Sequence, residues 1–455
     1  MIEIEERLQE LERLGLSRRL RLISGPQGPT VLLEGKPVLL LCSNNYLGLA
    51  DHPQVRDAAA DAARRWGVGA GSSRLVSGSM TIHRRLEERL ATFKGTESCI
   101  LFGSGYLANL GVLGALAGPG DTIFSDELNH ASIIDGCRLS RAEVVVYRHR
   151  DTEHLQWCLS RHGGRGERVI ATDSVFSMDG DIAPLEEIVE LAGHYDARTV
   201  VDEAHAVGNL GPGGRGAIAR AGLEGEVDVL VGTLGKALGS YGAYACASDE
   251  MVRLMVNTSR SLIFSTAPPP PAVAGALAAL DLLEERPHRV QRLRSNARAL
   301  RGALEAEGFP VSESDMHIVP LIVGDERDAL RICQESIDRG VFAQAIRPPT
   351  VPAGTARLRL AVMASHTPAE LRKAAGVLGS VARRIGLEPG AMTPALCELE
   401  PEILEDGARR IDMPAMPRGL GEEGPSGASE GAPFDFEAPS APFDVERETQ
   451  VTRAA

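Results

Sequence analysis

Lys236 sits in the glycine-rich stretch Thr233-Leu234-Gly235-Lys236-Ala237-Leu238-Gly239. The apolar run Val227-Asp228-Val229-Leu230-Val231 precedes it. That run reads as a buried strand, with the glycines as a turn at its C-terminal edge. Open α/β sheets bind ligands at that edge. A lysine there can be a surface residue, a point charge for phosphate, or a Schiff-base former. Three more polar clusters follow strand-like runs: His130 after Thr122-Ile123-Phe124, Ser177 after Val169-Ile170-Ala171, and Asp202 with His205 after Thr199-Val200-Val201. A lone histidine is usually structural. Four clusters at strand ends converge on one edge, which packing alone does not explain.

A fifth segment adds an anion seat. Cys99-Ile100-Leu101-Phe102 runs into Gly103-Ser104-Gly105-Tyr106 and a helical pattern. Strand, glycine turn and helix N-terminus leave free N–H groups facing a phosphate. The stretch has neither the G-x-G-x-x-G dinucleotide spacing nor the G-K-[ST] of a P-loop, so a small phosphate ligand fits better than ATP or NAD. A lysine, a carboxylate at Asp202 and this seat together suit pyridoxal phosphate. Its aldehyde needs a lysine, and its pyridine nitrogen stays protonated only beside a carboxylate. Thr233 is near enough in sequence to help hold the phosphate. His130 can stack on the ring, and His205 can reach the phenolic oxygen. Further on, Arg357-Leu358-Arg359-Leu360 alternates, so Arg357 and Arg359 share one face. They read either as exposed strand charges or as a carboxylate clamp.

The elements that must position these groups follow from the pattern. Strands separated by helical segments, Leu185–Ala192 among them, predict an α/β fold with a mostly parallel, doubly wound sheet. Ile4, Leu8, Leu11 and Leu14–Leu16 predict an amphipathic helix over residues 2–22, ending in Arg18, Arg19 and Arg21. Val31–Leu41 reads as a hairpin about Glu34-Gly35-Lys36-Pro37. Ser43-Asn44-Asn45-Tyr46 sets polar groups beside a tight turn, and Gly67–Gly78 reads as a linker or a close-approach ligand loop. Thr81 is expected to cap the next helix, with His83 a local hydrogen-bonding residue. Met251–Leu262 reads as one helix, Pro268–Pro271 as a break, and 272–307 as helical. The expected divisions are 1–45, an N-terminal helix and hairpin arm; 46–275, the large cofactor domain; 276–388, a smaller α/β domain; and 389–455, a disordered acidic tail.

The chain has 455 residues, 43% hydrophobic and 24% charged, as expected of a soluble globular protein of two or more domains. It has no run of 18 apolar residues and no basic stripe, so neither a membrane span nor nucleic-acid binding is expected. Seven dispersed cysteines without a C-x-x-C pair predict reduced thiols in the cytoplasm and no metal site. Of the net charge of −14, −9 falls in residues 391–455, which hold 14 acidic and 5 basic side chains and 8 of the 27 prolines. Ala432-Pro433-Phe434-Asp435 recurs there as Ala441-Pro442-Phe443-Asp444, a docking motif for an unidentified partner or a chance repeat.

The motifs S-N-N-Y-L-G-L (43–49), G-A-G-S-S-R-L-V-S-G (69–78), L-N-H-A-S (128–132), V-F-S-M-D-G-D (175–181), V-D-E-A-H-A-V-G (201–208) and T-L-G-K-A-L-G (233–239) occur in this order. Together they resemble the α-oxoamine synthases, fold-type I pyridoxal-phosphate enzymes, over about residues 1–385. The resemblance implies a homodimer with shared active sites and a decarboxylative condensation of an amino acid with an acyl thioester. The stretch A-I-R-P-P-T-V-P-A-G-T-A-R-L-R-L (345–360) is similar to the branch that joins L-alanine to a pimeloyl thioester, on coenzyme A or a carrier protein, in biotin synthesis. Siblings use glycine with acetyl- or succinyl-CoA, or serine with a long acyl-CoA, and share every catalytic residue. By the same resemblance Lys236 is the covalent anchor and proton-transfer base, Asp202 pairs with the pyridine nitrogen, and His130 stacks on the ring. His205 and Ser177 contact the cofactor; Thr233, Gly105 and Tyr106 line its phosphate; Ser265 and Thr266 reach the neighbour's cofactor. Asn44, His130, Thr350, Arg359 and Arg18 hold substrate, with Arg19 and Arg21 close to Arg18.

Overall fold

A computed structural model describes residues 4–13, 16–164, 166–312 and 314–392. The acidic stretch 393–455, including the repeated Ala-Pro-Phe-Asp, lies outside the described residues. Helix α1 (Ile4–Arg13) is shorter than the predicted 2–22, and none of its residues is buried. Strand β1 (Ile23–Ser24) pairs with β2 (Thr30–Leu33), which forms the expected hairpin with β3 (Lys36–Leu40). Glu34 and Gly35 both have positive φ at its turn, matching the twist of a tight hairpin.

After α2 (Pro53–Trp66) and α3 (Thr81–Lys94) the large sheet begins. Met80, not Thr81, stands at the cap of α3. The His83 ring, at the third helical position, takes the place of the Glu or Gln of a capping box: Nδ1 accepts the Met80 N–H at 3.1 Å, and Nε2 donates to the Pro268 carbonyl at 2.7 Å. Strands and helices then alternate: β4 (Ser98–Phe102), α4 (Gly105–Leu116), β5 (Thr122–Asp126), α5 (Ala131–Ser140) and β6 (Glu143–Tyr147). The series continues with α6 (Thr152–Arg161), β7 (Arg168–Asp173), α7 (Leu185–His194), β8 (Arg198–Asp202), α8 (Ala217–Ala221) and β9 (Val229–Thr233). Strand β10 (Ala243–Ala247), absent from the sequence reading, inserts antiparallel between β4 and β9. The order is β4-β10-β9-β8-β7-β5-β6, parallel except for β10. Strands β5 and β10 are buried at every residue, as a sheet covered on both faces requires.

Helices α9 (Asp249–Thr258) and α10 (Arg260–Ile263) replace the single predicted helix. Ser259 separates them, its hydroxyl donating to the Gly111 carbonyl at 2.9 Å. The proline run breaks the helical stretch as expected: Pro268 and Pro269 are non-helical after α10, and Pro270 then opens α11 (Pro270–Glu285), where a missing N–H costs nothing. Helix α12 (His288–Ala306) follows, then β11 (Ile318–Gly324), α13 (Glu326–Asp338), β12 (Val341–Phe342), β13 (Gln344–Ile346), β14 (Ala356–Ala361) and α14 (Pro368–Arg384). Strands β11, β14 and β13 form a second sheet, while β12 pairs in parallel with β3. The N-terminal hairpin is therefore built into the C-terminal part of the chain. Pro389–Ala391 adds one more turn and Met392 is buried, so ordered packing passes the expected boundary at 389. Among the described residues no helix is long and apolar enough to cross a membrane.

A half-buried cation ties the strand ends together. His149 Nδ1 lies 2.9 Å from Asp126 Oδ1 and Nε2 lies 2.8 Å from Asp181 Oδ2. Carboxylates only accept, so both nitrogens carry protons. Burial by itself would lower the pKa; the hydrogen bonds the ring donates to the two carboxylates, with their charges, outweigh it and push it from 6.5 up to about 10. Folding takes up a proton here. The stabilisation is complete below pH 6.5 and is lost progressively as pH rises through about 10. His149→Gln is expected to cost roughly 2–4 kcal/mol near pH 6 and far less near pH 10. Urea unfolding of both proteins at the two pH values checks this; an equal cost at both would remove the cation.

Candidate active site

The C-terminal ends of β5, β7, β8 and β9 point the same way, and the groups that follow them meet there. Asp173 and Asp202 are register partners at the ends of β7 and β8. Both are buried. Burial, then the Asp202 charge, pushes the Asp173 carboxyl well above its ordinary value. Asp173 accepts the His130 N–H at 2.7 Å and so fixes the start of α5.

Asp202 accepts from Asn109 Nδ2 at 2.7 Å and from the Ala204 N–H at 2.8 Å. Asn109 Nδ2 also donates to Ser132 Oγ at 2.8 Å, and Ser132 Oγ lies 2.7 Å from His130 Nδ1. A hydrogen-bonded chain thus runs from the exposed His130 ring to the buried Asp202 carboxylate. Its neighbour Glu203 turns the other way, into a fully buried ion pair with Lys94. Only one of these two adjacent acids faces the site.

A second chain starts at Lys236. Its Nζ lies 2.8 Å from His205 Nε2, and His205 Nδ1 lies 2.7 Å from the Tyr46 hydroxyl. Tyr46 donates to Asn44 Oδ1 at 2.9 Å. Arg359 donates to Tyr46 at 3.3 Å and to Asn44 Oδ1 at 3.4 Å, and its Nε donates to the Ser177 carbonyl. Burial, against the pull of Asp202 and Asp173, lowers the Lys236 pKa to about 8. Burial and the Lys236 charge hold the His205 ring far below its ordinary value, so it is neutral. Two glycines let the Lys236 turn sit this close. A Cβ on Gly208 (φ +82°) would strike Ala237, and one on Gly239 (φ +59°) would strike the backbone of Ala50.

The segments expected to seat a phosphate meet around Thr233. Ser104 caps α4, accepting the Leu107 N–H at 3.3 Å. Gly105 at the first turn faces Thr233, where an added Cβ would rest 4.0 Å from the threonine Cβ. Thr233 Oγ1 donates to the Gly242 carbonyl at 3.1 Å and accepts the Gly235 N–H at 3.2 Å. Tyr106 is exposed and donates to Asp135.

Other expected residues lie apart from this cluster. Arg357 is fully buried and paired with Asp179, so the two arginines do not form one clamp; Arg359 alone faces the site. Thr350 and Arg18 are exposed, and no side-chain contact joins either to the cluster among the described residues. Arg21 is engaged elsewhere, donating to Gln334 at 3.1 Å. Ser265 and Thr266 lie beside the glycine loop, where Thr266 bridges Ser73 and the Ala267 N–H reaches the Ser72 carbonyl at 3.0 Å. Sequence reasoning passed over Tyr46, Asn109, Ser132 and Asp173. Tyr46 was legible only as part of the S-N-N-Y turn. The other three look like ordinary polar residues in strands and helices until the fold juxtaposes them.

A lysine beside a buried carboxylate at the C-terminal sheet edge defines a cofactor-dependent enzyme site. The Aminotransferase class I and II family matches residues 36–378. The 8-amino-7-oxononanoate synthase of Geobacter sulfurreducens is 49% identical over 382 residues, 84% of this chain and 98% of that protein. Serine palmitoyltransferase from S. paucimobilis, with PLP and myriocin bound, superposes with a TM-score of 0.80 at 35% identity, over 84% of this chain and 97% of that one. The 8-amino-7-oxononanoate synthase of Francisella tularensis gives a TM-score of 0.66 at 26% identity, over 76% of this chain and 98% of that one. The chain belongs to the aminotransferase class I and II family and, within it, to the α-oxoamine synthases.

Proposed function

We propose that this chain joins L-alanine to a pimeloyl thioester with loss of CO2, forming 8-amino-7-oxononanoate in the cytoplasm as a step of biotin synthesis. The observation that carries the reading is the 49% identity over 98% of a relative with that activity in its name. The cofactor is pyridoxal 5′-phosphate, and the residues present fit it. Asp202 is buried with no cationic side chain in ion-pair contact among the described residues, which suits a pyridinium. Lys236 is a half-buried amine, and Thr233 stands beside a helix N-terminus.

Lys236 would hold the cofactor covalently and Asp202 its ring nitrogen. His130 would stack on the ring; His205 and Ser177 would contact its substituents; Thr233, Gly105 and Tyr106 would line its phosphate. When bound, pyridoxal phosphate supplies an electron sink that makes the alanine Cα acidic. The chain's own residues do the rest. Arg359 and Asn44 bind the alanine carboxylate, with Arg18 and Thr350 toward the acyl end. Lys236 Nζ takes and returns the proton at the alanine Cα, a role suited to an amine whose pKa is lowered to about 8. Ser265 and Thr266 of one protomer would complete the site of its partner in a homodimer.

The test is product formation by the purified holoenzyme with L-alanine and pimeloyl-CoA, run beside glycine with acetyl-CoA and serine with palmitoyl-CoA. Amino-oxononanoate from the first mixture is expected. Product only from another mixture would move the chain to a sibling activity. The serine reading has one observation in its favour, the TM-score of 0.80. The higher sequence identity to the alanine-using branch outweighs it.

A further inference from the structure

Tyr46 is buried, and its hydroxyl meets His205 Nδ1 at 2.7 Å, Asn44 Oδ1 at 2.9 Å and Arg359 Nη2 at 3.3 Å. A phenol has one proton to give and two lone pairs to accept with. These partners allow two consistent arrangements. When Lys236 is an ammonium it donates to His205 Nε2, so the ring proton is on Nδ1 and points at Tyr46. The phenol oxygen then accepts from His205 and Arg359 and must donate to Asn44. When Lys236 is neutral, His205 can carry its proton on Nε2 and donate to the lysine nitrogen. Nδ1 then accepts, and the Tyr46 proton turns from Asn44 to His205. Arg359 donates to Asn44 Oδ1 in either case.

We propose that the Tyr46 hydroxyl is a positioning junction through which the charge on Lys236 and the carboxylate-binding pair Asn44–Arg359 are coupled. The inference deepens the proposed function and rests on it only for the identity of the carboxylate. The surroundings suit the role. Lys236 faces Asp202, Asp173 and Arg359 besides His205, and burial sets its pKa at about 8, so both charge states are populated near neutrality. His205 faces Lys236, Arg359, His317 and His130, and stays neutral throughout. His317 packs against the Tyr46 ring, centroids 3.9 Å apart at 62°, and does not compete for the hydroxyl.

The test needs no turnover. In the full-length cofactor-free protein, the rate of Lys236 acetylation by acetic anhydride is followed against pH by mass spectrometry. Tyr46→Phe removes the acceptor that favours the cationic arrangement, so the labelling midpoint is expected to fall by about half a unit to one unit, the effect of one hydrogen bond. Asn44→Ala is expected to lower the midpoint in the wild-type background and to have no effect in the Tyr46→Phe background. An unchanged midpoint in Tyr46→Phe, or the same Asn44→Ala shift in both backgrounds, would overturn the junction. Tyr46→Phe keeps the ring on His317. Should it fail to fold, the same cycle with His205→Leu decides, since that change also cuts the chain. In the holoenzyme, the L-alanine Kd read from the cofactor's visible absorbance is expected to rise about threefold to tenfold in Tyr46→Phe, an effect of similar size. A wild-type protein that binds no L-alanine would remove the proposed substrate and leave the labelling cycle to decide the junction.

Discussion

Replacing Lys236 by alanine is expected to lower kcat for amino-oxononanoate formation by about a thousandfold or more, with little change in folding. In the proposed function the amine has two duties, nucleophile toward the cofactor and base at the substrate Cα, and each contributes orders of magnitude. Position and pKa both matter. At a pKa of about 8, roughly a quarter of the lysine is neutral at pH 7.5; at the ordinary 10.5 it would be roughly one molecule in a thousand. A guanidinium cannot be deprotonated, so Lys236→Arg should be as inactive as Lys236→Ala. The fold should survive, because the turn is held by backbone contacts that do not use the amine. The Leu234 N–H donates to the Gly242 carbonyl at 2.9 Å, and the Gly239 N–H donates to the Lys236 carbonyl at 3.0 Å. Steady-state assays beside thermal melts check this. Turnover within tenfold of the wild type would remove Lys236 from the chemistry.

The second large effect is expected at Asp202. Asp202→Asn keeps the shape and removes the charge. Fixed charges aimed at a reacting centre in a dry site are worth about a hundredfold to a thousandfold, and a kcat loss of that order is predicted. The variant should also lose some stability. Both Asp202 oxygens accept from N–H donors, one on Asn109 and one on Ala204. A carboxamide can accept at only one of these places, leaving a donor facing a donor at the other, for roughly 1–3 kcal/mol. Kinetics at saturating substrate and denaturant unfolding separate the two effects. Full activity with the expected loss of stability would make Asp202 a structural residue.

Much of this was legible in the chain. The strands of the parallel sheet announce themselves as short apolar runs, because a strand covered on both faces has no polar side to show. The ends of those runs locate the site, because ligand-binding groups gather at the C-terminal edge. Strand β10 was missed: Ala243–Ala247 is short and alanine-rich, and its place is fixed by pairing with β4 and β9 on either side. The α9–α10 break was missed because it depends on Ser259 reaching Gly111, 148 positions away.

The sequence by itself indicated most of the alternating strands and helices, the sheet edge where the candidate site lies, and the residue types that Lys236, Asp202, His205 and His130 bring to it, since periodicity and residue type are local properties. Only the tertiary structure decided which of several like residues serves. Asp202 faces the site while Glu203 pairs with Lys94, and Arg359 faces it while Arg357 is spent on Asp179. It also decided that Tyr46, Asn44 and Arg359 join His205, although Tyr46 and His205 are 159 positions apart. Alternation along a strand says which residues share a face. It does not say which opposite charge the fold will bring against each one, and that pairing settles whether a buried ion is structural or left to act.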